Sequence, residues 1–360
     1  MKKNPIKLID TTVREAGFLI SHQWEALKAA DLAQESERCG FPYAEICHGC
    51  GIGGFRRGYP GLHHDIDLLK AARKAIQKLK FCVYLDAGPH SITELELISD
   101  YFDLGKVGVN ATKVDSVQEH VSRLKDLKKS VAVQLLRVHR ISAQEAASAA
   151  RRAEDLGADI VYLVDSYGSM SPDEVGDYLE AVRKKTGLPL GFQGRNNTQR
   201  AIANSTAAVR NGATWIDTSL LGAGRDAGIA NAAILVFLLQ KEGYVPEMNL
   251  PEIHNASWWH LFPRLRQIPC PDLIDLLYAK HRIDFYPKEF IPAMSDILEI
   301  SPEEFLVRAK KQHPDSLEIG QQEIRDVLAS ERLSLEVVME YLQTGRIPGM
   351  EIGVTVPRDA

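Results

Sequence analysis

The feature that most constrains this chain is a regular alternation between short apolar runs and longer segments with helical periodicity. Such alternation is typical of parallel sheets built from strand-helix-strand units. Eight of these runs are predicted as strands, namely Lys7 to Asp10, Tyr43 to Cys47, Phe81 to Leu85, Lys106 to Val109, Val131 to Leu136, Ile160 to Val164, Leu188 to Phe192 and Trp215 to Thr218. Eight successive parallel strands can close on themselves, so the sequence predicts a (β/α)8 TIM barrel.

Helix starts and a later change of pattern give the domain organisation. Ser142 with Glu145, and Ser171 with Glu174, have the spacing of capping boxes, and Pro172 suits a first helical turn. After Gly243 the strand signals stop and proline-punctuated helical segments follow. We therefore predict three parts: a barrel domain over residues 1–245, a helical C-terminal domain over 246–345 and a tail over 346–360.

Composition narrows the range of partners and compartments. The chain is 45% hydrophobic and 25% charged, its net charge is -5, and its basic residues are spread along the sequence. This favours neither nucleic acid nor a membrane as a partner. Five cysteines without a secretory signal indicate reduced thiols, so we expect a cytoplasmic protein. Barrels of this size often dimerise, which leads us to expect a homo-oligomer.

In barrels of this kind the chemistry lies on the loops that follow the carboxyl ends of the strands. Polar residues follow most of the predicted strands, and the resulting shortlist is Arg14, Glu15, His48, Cys50, Asp86, His90, Asn110, Lys113, Arg137, His139, Asp165, Ser166, Gln193, Arg195, Asn196, Asp217 and Ser219. A polar ring of this kind indicates a site for a small molecule, although any one member can also be a strand end that meets water.

Several of these strand ends carry recognisable motifs. They are DTTVREAG at residues 10–17, ICHGCG at 46–51, YLVDSYGSM at 162–170, GFQGRNN at 191–197 and DTSLLGAG at 217–224. Together they resemble the DRE-TIM metallolyases, the HMG-CoA lyase-like family of aldolases and lyases, and most closely its aldolase branch. The resemblance spans the barrel and, more weakly, the helical domain around Tyr286. It implies an aldolase or pyruvate-carboxyltransferase-like barrel.

The resemblance also implies a mechanism and its parts. The family uses a divalent ion, Mn²⁺ or Mg²⁺, to bind a small 2-oxo acid and to stabilise its enolate, with a fixed arginine at the position of Arg14. Its metal ligands are an aspartate and two histidines, and here those positions are Glu15, Gln193 and Arg195. The position of its catalytic base is Phe18. A dehydrogenase partner is a further implication of the family.

Arg195 is the substitution that changes the chemistry most. A guanidinium stays protonated and has no lone pair to give a cation. At about 4 Å and an effective dielectric of about 20, its charge would oppose a divalent ion by roughly 8 kcal/mol. We therefore predict that the inherited metal site is not used, and we predict no cofactor. Arg195 instead supplies the fixed positive charge for an anionic substrate.

These arguments predict a carbon-carbon lyase that acts through the enolate of a pyruvate-like 2-oxo acid. The residues expected to be catalytic are Arg14, Glu15, His48, Arg195 and Tyr286. Those expected to bind substrate are His139, Asp165, Ser166, Gln193, Asn196, Asn197 and Asp217.

Other interpretations remain open at the level of sequence. The barrel can be a catalytically silent partner or regulatory subunit, or a lyase with a rearranged metal site drawn from Glu15, His48, Cys50 and His139. The Cys47 and Cys50 pair fits small packing residues, a zinc site or a reactive thiol. Lys113 could form a Schiff base or be a solvated lysine, and glycine-rich turns such as residues 51–54 could hold a phosphate or simply turn tightly.

Overall fold

The computed structural model describes residues 5–265, 267–285, 288–314, 316 and 318–344. Eight parallel strands form a closed barrel in chain order, and the eighth pairs with the first. They are β1 (Lys7–Asp10), β2 (Tyr43–Glu45), β3 (Lys80–Asp86), β4 (Leu104–Asn110), β5 (Ser130–Leu136), β6 (Ile160–Asp165), β7 (Leu190–Gly194) and β8 (Trp215–Thr218). The predicted (β/α)8 barrel is confirmed, and all eight predicted strands are present with small shifts at some ends.

Helices follow the strands and cover the barrel. A short helix α1 (Thr12–Ala16) comes directly after β1, and eight longer helices follow β1 to β8 in turn. These are α2 (Ala26–Cys39), α3 (Asp65–Ala75), α4 (Pro89–Ile98), α5 (Gln118–Asp126), α6 (Ala143–Asp155), α7 (Pro172–Arg183), α8 (Ala201–Arg210) and α9 (Ala232–Lys241). The predicted capping boxes at the starts of α6 and α7 are both present.

Side chains of each strand alternate between the barrel interior and the surrounding helices. Leu8 belongs to the apolar layer under the helices, whereas its neighbour Ile9 belongs to a separate interior cluster with residues such as Leu104 and Trp215. Charged residues also point inward: Glu45, Lys106 and Asp217 lie on interior positions and are at most 1% exposed. The interior is therefore apolar at one level and ionic at another.

The chain divides into two compact units, Met1–Pro271 and Asp272–Ala360. The first includes α10 (Leu250–Asn255), which packs on α2 and α9. Residues 246–271, predicted as the start of the helical domain, fall in the first unit, where α10 packs on barrel helices. The predicted tail over 346–360 lies outside the described residues. None of the helices in the described ranges is both long and apolar enough to cross a bilayer.

The second unit is helical and has its own core. Its helices are α11 (Leu273–His281), α12 (Phe290–Leu298), α13 (Pro302–Gln312), α14 (Gln321–Ser330) and α15 (Leu335–Thr344). Two short parallel strands, β9 (Asp284–Phe285) and β10 (Glu318–Ile319), pair with each other. Buried side chains such as Tyr278, Ile291 and Phe305 form one apolar cluster. The helical C-terminal domain predicted from the proline-punctuated segments is thus present.

The cap of α6 makes a direct stability prediction. The Ser142 hydroxyl accepts the Glu145 amide at 3.2 Å, and the Glu145 carboxylate accepts the Ser142 amide at 2.7 Å. Ser142→Ala removes the first of these bonds, so the free energy of unfolding in urea should fall by about 1 kcal/mol. The control is Ser148→Ala on the exposed face of the same helix, which should cost less than about 0.5 kcal/mol. Equal losses in both variants would contradict a capping role.

Candidate active site

Two strands bring four polar side chains together at the carboxyl end of the barrel. Arg14 and Glu15 lie in α1, directly after β1, while Gln193 belongs to β7 and Arg195 follows it. Residues two apart on a strand point to the same side, so Gln193 and Arg195 both face inward. Strand β8 pairs with both β1 and β7, so the pair that follows β1 and the pair from β7 are separated by the width of one strand.

The Glu15 carboxylate is the centre of this group and is fully buried. Its Oε1 accepts hydrogen bonds from Arg14 Nη1 at 3.0 Å and from Gln193 Nε2 at 3.2 Å. Its Oε2 lies 3.5 Å from Arg195 Nη1. Burial alone would raise the pKa of Glu15, but the guanidiniums of Arg195 and Arg14 outweigh it and the pKa lies below its usual value. The carboxylate is therefore charged and held from three sides.

Both guanidiniums are also fixed by contacts to the protein. Arg14 Nε donates to the Gly49 carbonyl at 3.2 Å, and its guanidinium lies 4.0 Å from the centre of the Tyr84 ring. Arg195 Nη1 donates to the Arg225 carbonyl at 2.9 Å. Positive charges that are held in place before a reactant arrives need no reorganisation during a reaction, which is the requirement for electrostatic stabilisation of an oxyanion.

An ionic layer, whose members Glu45 and Lys106 were not among the predicted site residues, lies inside the barrel beside this group. Glu45 Oε2 is 3.4 Å from Arg14 Nη1, and Glu45 Oε1 is 3.2 Å from Lys106 Nζ. Lys106 Nζ also donates to Asp217 Oδ2 at 2.6 Å. Burial opposes the charge of Lys106, but Asp217 and Glu45 hold its pKa above the ordinary value. The layer therefore contains a charged lysine shared by two carboxylates.

The remaining predicted substrate-binding residues form a second group around the loops after β5 to β7. The Asp165 carboxylate accepts the amides of Ser169 at 3.2 Å and Met170 at 3.0 Å, and it lies 3.3 Å from His139 Nδ1. The Ser166 hydroxyl accepts the Arg137 amide at 3.0 Å. These contacts hold the loops in place, which makes Asp165 and Ser166 parts of the frame of the site.

Close backbone packing joins that second group to the loop after β7. Gly168 has φ +57, and a Cβ there would come within 2.6 Å of the Arg195 carbonyl. The Asn196 amide donates to the Gly228 carbonyl at 3.0 Å, while Asn197 is buried. Glycine is the residue that tolerates both the positive φ and this close approach. The backbone after Arg195 is consequently held between the loops that follow β6 and β8.

His48, predicted as a catalytic residue, contacts His22 and the turn that contains it. The two imidazole rings lie 3.9 Å apart at 32°, and the Cys50 amide donates to His48 Nδ1 at 3.1 Å. Burial lowers the pKa of His22 to about 3 and also lowers the pKa of His48. Both rings are thus neutral at pH 7. Tyr286, the other residue predicted to move protons, lies outside the described residues.

The low pKa of His22 makes the free energy of unfolding depend on pH. The unfolded residue has its ordinary pKa near 6.5 and the folded residue about 3, so the unfolded chain takes up the proton first as the pH falls. The free energy of unfolding is therefore highest above pH 6.5 and decreases as the pH falls below that value. Between pH 7 and pH 5 we expect a loss of about 1 kcal/mol, after allowing for partial exposure of the ring.

Urea unfolding at both pH values would measure this loss. The His22→Gln variant has no titrating group at this position and is expected to lose less stability over the same interval. Wild type and variant curves that fall in parallel would contradict a buried neutral imidazole.

A metal ion does not fit the residues at the family's ligand positions. Glu15 already receives N–H groups from Arg14 and Gln193, and Arg195 brings a further positive charge to its second oxygen. Gln193 turns its amide NH₂, which is not a ligand, toward Glu15. A cation beside Glu15 would meet two guanidiniums and no second anionic ligand from these positions.

Two other groups of metal-ligating side chains occur in the part of the chain that the structure describes. His22, His48 and Cys50 lie within 4.8 Å of one another, as do Asp31, Glu35 and His260. The rings of His22 and His48 are tilted by 32° with their centres 3.9 Å apart, so this group keeps the rearranged metal site open as an alternative. Neither group contains Glu15 or His139, the other members of the rearranged site considered from the sequence.

The second group is an ion-pair cluster between α2 and the segment that follows α10. Asp31 Oδ2 lies 3.1 Å from His260 Nδ1 and 3.1 Å from Arg264 Nη2. Because the Arg264 guanidinium is already paired with the Asp31 carboxylate, this group acts as an ion-pair contact that holds the two segments together.

The glycine-rich turn at residues 51–54, considered above as a phosphate site, is held by a carboxylate of the protein itself. The amide of Gly53 donates to Asp65 Oδ2 at 2.9 Å, and the amide of His48 donates to Asp65 Oδ1 at 2.7 Å. The protein's own carboxylate therefore uses N–H groups that a phosphate would need.

Cys47 is buried, its thiol accepts the Tyr84 amide at 3.4 Å, and burial raises its pKa well above the ordinary value. Lys113 is exposed.

Comparisons with known proteins agree with this architecture. The model of a family described as HMGL-like matches residues 5–258. An oxaloacetate decarboxylase of Mycobacterium tuberculosis is 29% identical over 311 residues, which cover 86% of this chain and 92% of that protein. A 4-hydroxy-2-oxovalerate aldolase of Geobacillus genomosp. 3 is 32% identical over 265 residues, covering 73% and 79% respectively.

Solved structures show the same fold. The carboxyl transferase domain of Rhizobium etli pyruvate carboxylase, with 3-hydroxypyruvate, superposes with a TM-score of 0.75 at 15% identity. The match covers 93% of this chain and 62% of that one.

Proposed function

Because this chain belongs to the HMGL-like family of DRE-TIM aldolases and lyases, we propose that it is a carbon-carbon lyase whose enolate intermediate is stabilised by arginines in place of a divalent metal. Its substrate is a small 2-oxo acid, the class named in the relatives, which are an oxaloacetate decarboxylase and 4-hydroxy-2-oxovalerate aldolases. Arg14 and Arg195 bind the carboxylate and the 2-oxo oxygen of this substrate.

One observation carries the proposal: two guanidiniums and one amide group approach the carboxylate at the family's first ligand position. Glu15 is contacted by Arg14 at 3.0 Å, Gln193 at 3.2 Å and Arg195 at 3.5 Å. Arg14 and Arg195 therefore present fixed guanidinium charge on either side of Glu15. In a buried site such charge stabilises an oxyanion far more than it would in water.

The reaction follows from where the electrons go. In a 2-oxo acid with a carboxylate on the third carbon, the bond to that carboxylate breaks and carbon dioxide leaves. The electron pair of the broken bond moves toward the 2-oxo oxygen and creates the enolate beside Arg14 and Arg195. A proton from solvent then adds to the third carbon and gives the shorter 2-oxo acid.

Decarboxylation requires less of this site than aldol cleavage does. Cleavage of a 4-hydroxy-2-oxo acid needs a base to take the hydroxyl proton, and the family's position for that base is Phe18. Decarboxylation needs only the stabilised oxyanion. The neighbouring His22 is neutral and a weak base, since its pKa is about 3. We therefore propose oxaloacetate, or a 2-oxo acid like it, as the first substrate to test.

The test measures turnover and metal content in the same protein. After dialysis against a chelator, the wild-type protein should contain less than about 0.1 equivalent of any divalent metal and should still decarboxylate oxaloacetate above the protein-free rate. The double variant Gln193→His/Arg195→His recreates the family's two histidines and serves as the metal-binding control.

Two outcomes would contradict the proposal in different ways. Activity that disappears with chelation and returns with Mn²⁺ would defeat the arginine mechanism but keep the lyase. No turnover of oxaloacetate, or of a panel of 4-hydroxy-2-oxo acids, would favour the silent-barrel alternative.

A further inference from the structure

A fully buried lysine lies next to the candidate site without belonging to it. Lys106 is on β4 and is 0% exposed. Its Nζ lies 2.6 Å from Asp217 Oδ2 and 3.2 Å from Glu45 Oε1. Gln134 Nε2 donates to the same oxygen of Asp217 at 3.3 Å. A buried lysine needs paired carboxylates to remain charged, and here it has two.

Glu45 connects this lysine to the catalytic guanidinium. One oxygen of Glu45 faces Lys106, and the other lies 3.4 Å from Arg14 Nη1. The same Arg14 nitrogen donates to Glu15 at 3.0 Å. Arg14 therefore sits between two carboxylates, and Glu45 sits between two cations. How much positive charge Arg14 presents to a substrate depends on how far Glu45 is neutralised from its other side.

We propose that Lys106 is a positioning residue that acts through Glu45: by sharing the charge of Glu45, it leaves the guanidinium of Arg14 available to an anionic substrate. This inference rests on the proposed function, in which Arg14 binds the substrate. Without Lys106, Arg14 is the one close cation of Glu45 among the residues that the structure describes, so the Arg14 guanidinium is drawn toward Glu45 and its charge is neutralised there.

A simpler role for Lys106 makes a different prediction. If the lysine only balances the buried charge of Asp217, then removing both charges together restores both the stability of the fold and the binding of an anion. If it acts through Glu45, then removing the charge of Asp217 restores stability but leaves Arg14 paired with Glu45, so anion binding stays weak. Only removal of the Glu45 charge would free Arg14 again.

Two double variants separate these roles and match each other in charge. Lys106→Met/Glu45→Gln and Lys106→Met/Asp217→Asn each remove one buried cation and one buried anion from the full-length protein. The measurement is calorimetric binding of oxalate, a planar anion that resembles the enolate of a 2-oxo acid. Thermal unfolding establishes that each variant is folded, and Lys106→Met alone gives the uncompensated reference.

We expect Lys106→Met/Glu45→Gln to bind oxalate within about threefold of wild type, and Lys106→Met/Asp217→Asn to bind it at least tenfold more weakly. The KM for substrate should follow the same order. Equal affinities in the two double variants, or the reverse order, would overturn the role of Lys106. If wild type neither binds oxalate nor turns over a 2-oxo acid, it is the proposed function that fails.

Discussion

Arg195→Met is expected to lower kcat/KM for decarboxylation about a thousandfold, mainly through kcat. The guanidinium of Arg195 is held by the Arg225 carbonyl and aimed at the site, so its loss removes a fixed charge from the developing enolate. Loss of one preorganised oxyanion donor typically costs a factor of about 100 to 1,000. Because the Arg195 side chain is largely buried away from bulk water, we expect the loss of rate to lie at the upper end of that range.

The matched control and the conservative change sharpen this measurement. Arg200→Met alters an exposed arginine at the start of α8 and should leave kcat/KM within about twofold. Arg195→Lys keeps the charge but loses the planar fork, and we expect an intermediate rate. Full activity in Arg195→Met would remove the central assumption of the mechanism.

Arg14→Met is expected to lower the free energy of unfolding by about 3–5 kcal/mol. The side chain of Arg14 is 8% exposed and contacts Glu15 and Glu45, both of which are fully buried. Loss of a buried cation leaves its carboxylate partners uncompensated, which costs far more than the ion pair itself contributes. Urea unfolding measures the loss directly.

A surface arginine with the same number of carboxylate partners is the control. Arg151 contacts Glu154 at 3.1 Å and Asp155 at 2.7 Å, and its side chain is 55% exposed. Arg151→Met should cost less than about 1 kcal/mol because water replaces the lost partner. The double variant Arg14→Met/Glu45→Gln should recover part of the stability. Similar losses at positions 14 and 151 would mean that burial does not determine the cost.

Much of the architecture could be predicted because its signals are local. The alternation of strands and helices needed no knowledge of tertiary contacts, and the Ser142 and Ser171 caps follow from spacing within one turn. The grouping of Gln193 and Arg195 followed from the resemblance, which places both at the family's histidine ligand positions. Residues 246–271 were harder, since a proline-punctuated helix does not indicate which body it packs against.

The ionic layer was the part of the site that sequence reasoning missed. A signal did exist, because Glu45 and Lys106 are charged residues within predicted buried strands, and such residues are almost always paired. Their partners lie 61 and 111 residues apart in contacts that only closure of the barrel creates. Asp217 was selected as a residue of the site, but its pairing with Lys106 required the register of the strands.

The ion pairs inside the barrel also bear on how this sequence can change over generations. Arg14, Lys106 and Arg195 face Glu15, Glu45 and Asp217, so three positive and three negative groups are linked in one cluster. A single neutral replacement leaves a stranded charge, whereas two complementary replacements do not. Substitutions that remove one cation and one neighbouring anion together are therefore expected to cost less stability than either single substitution, which limits how these positions can change one at a time.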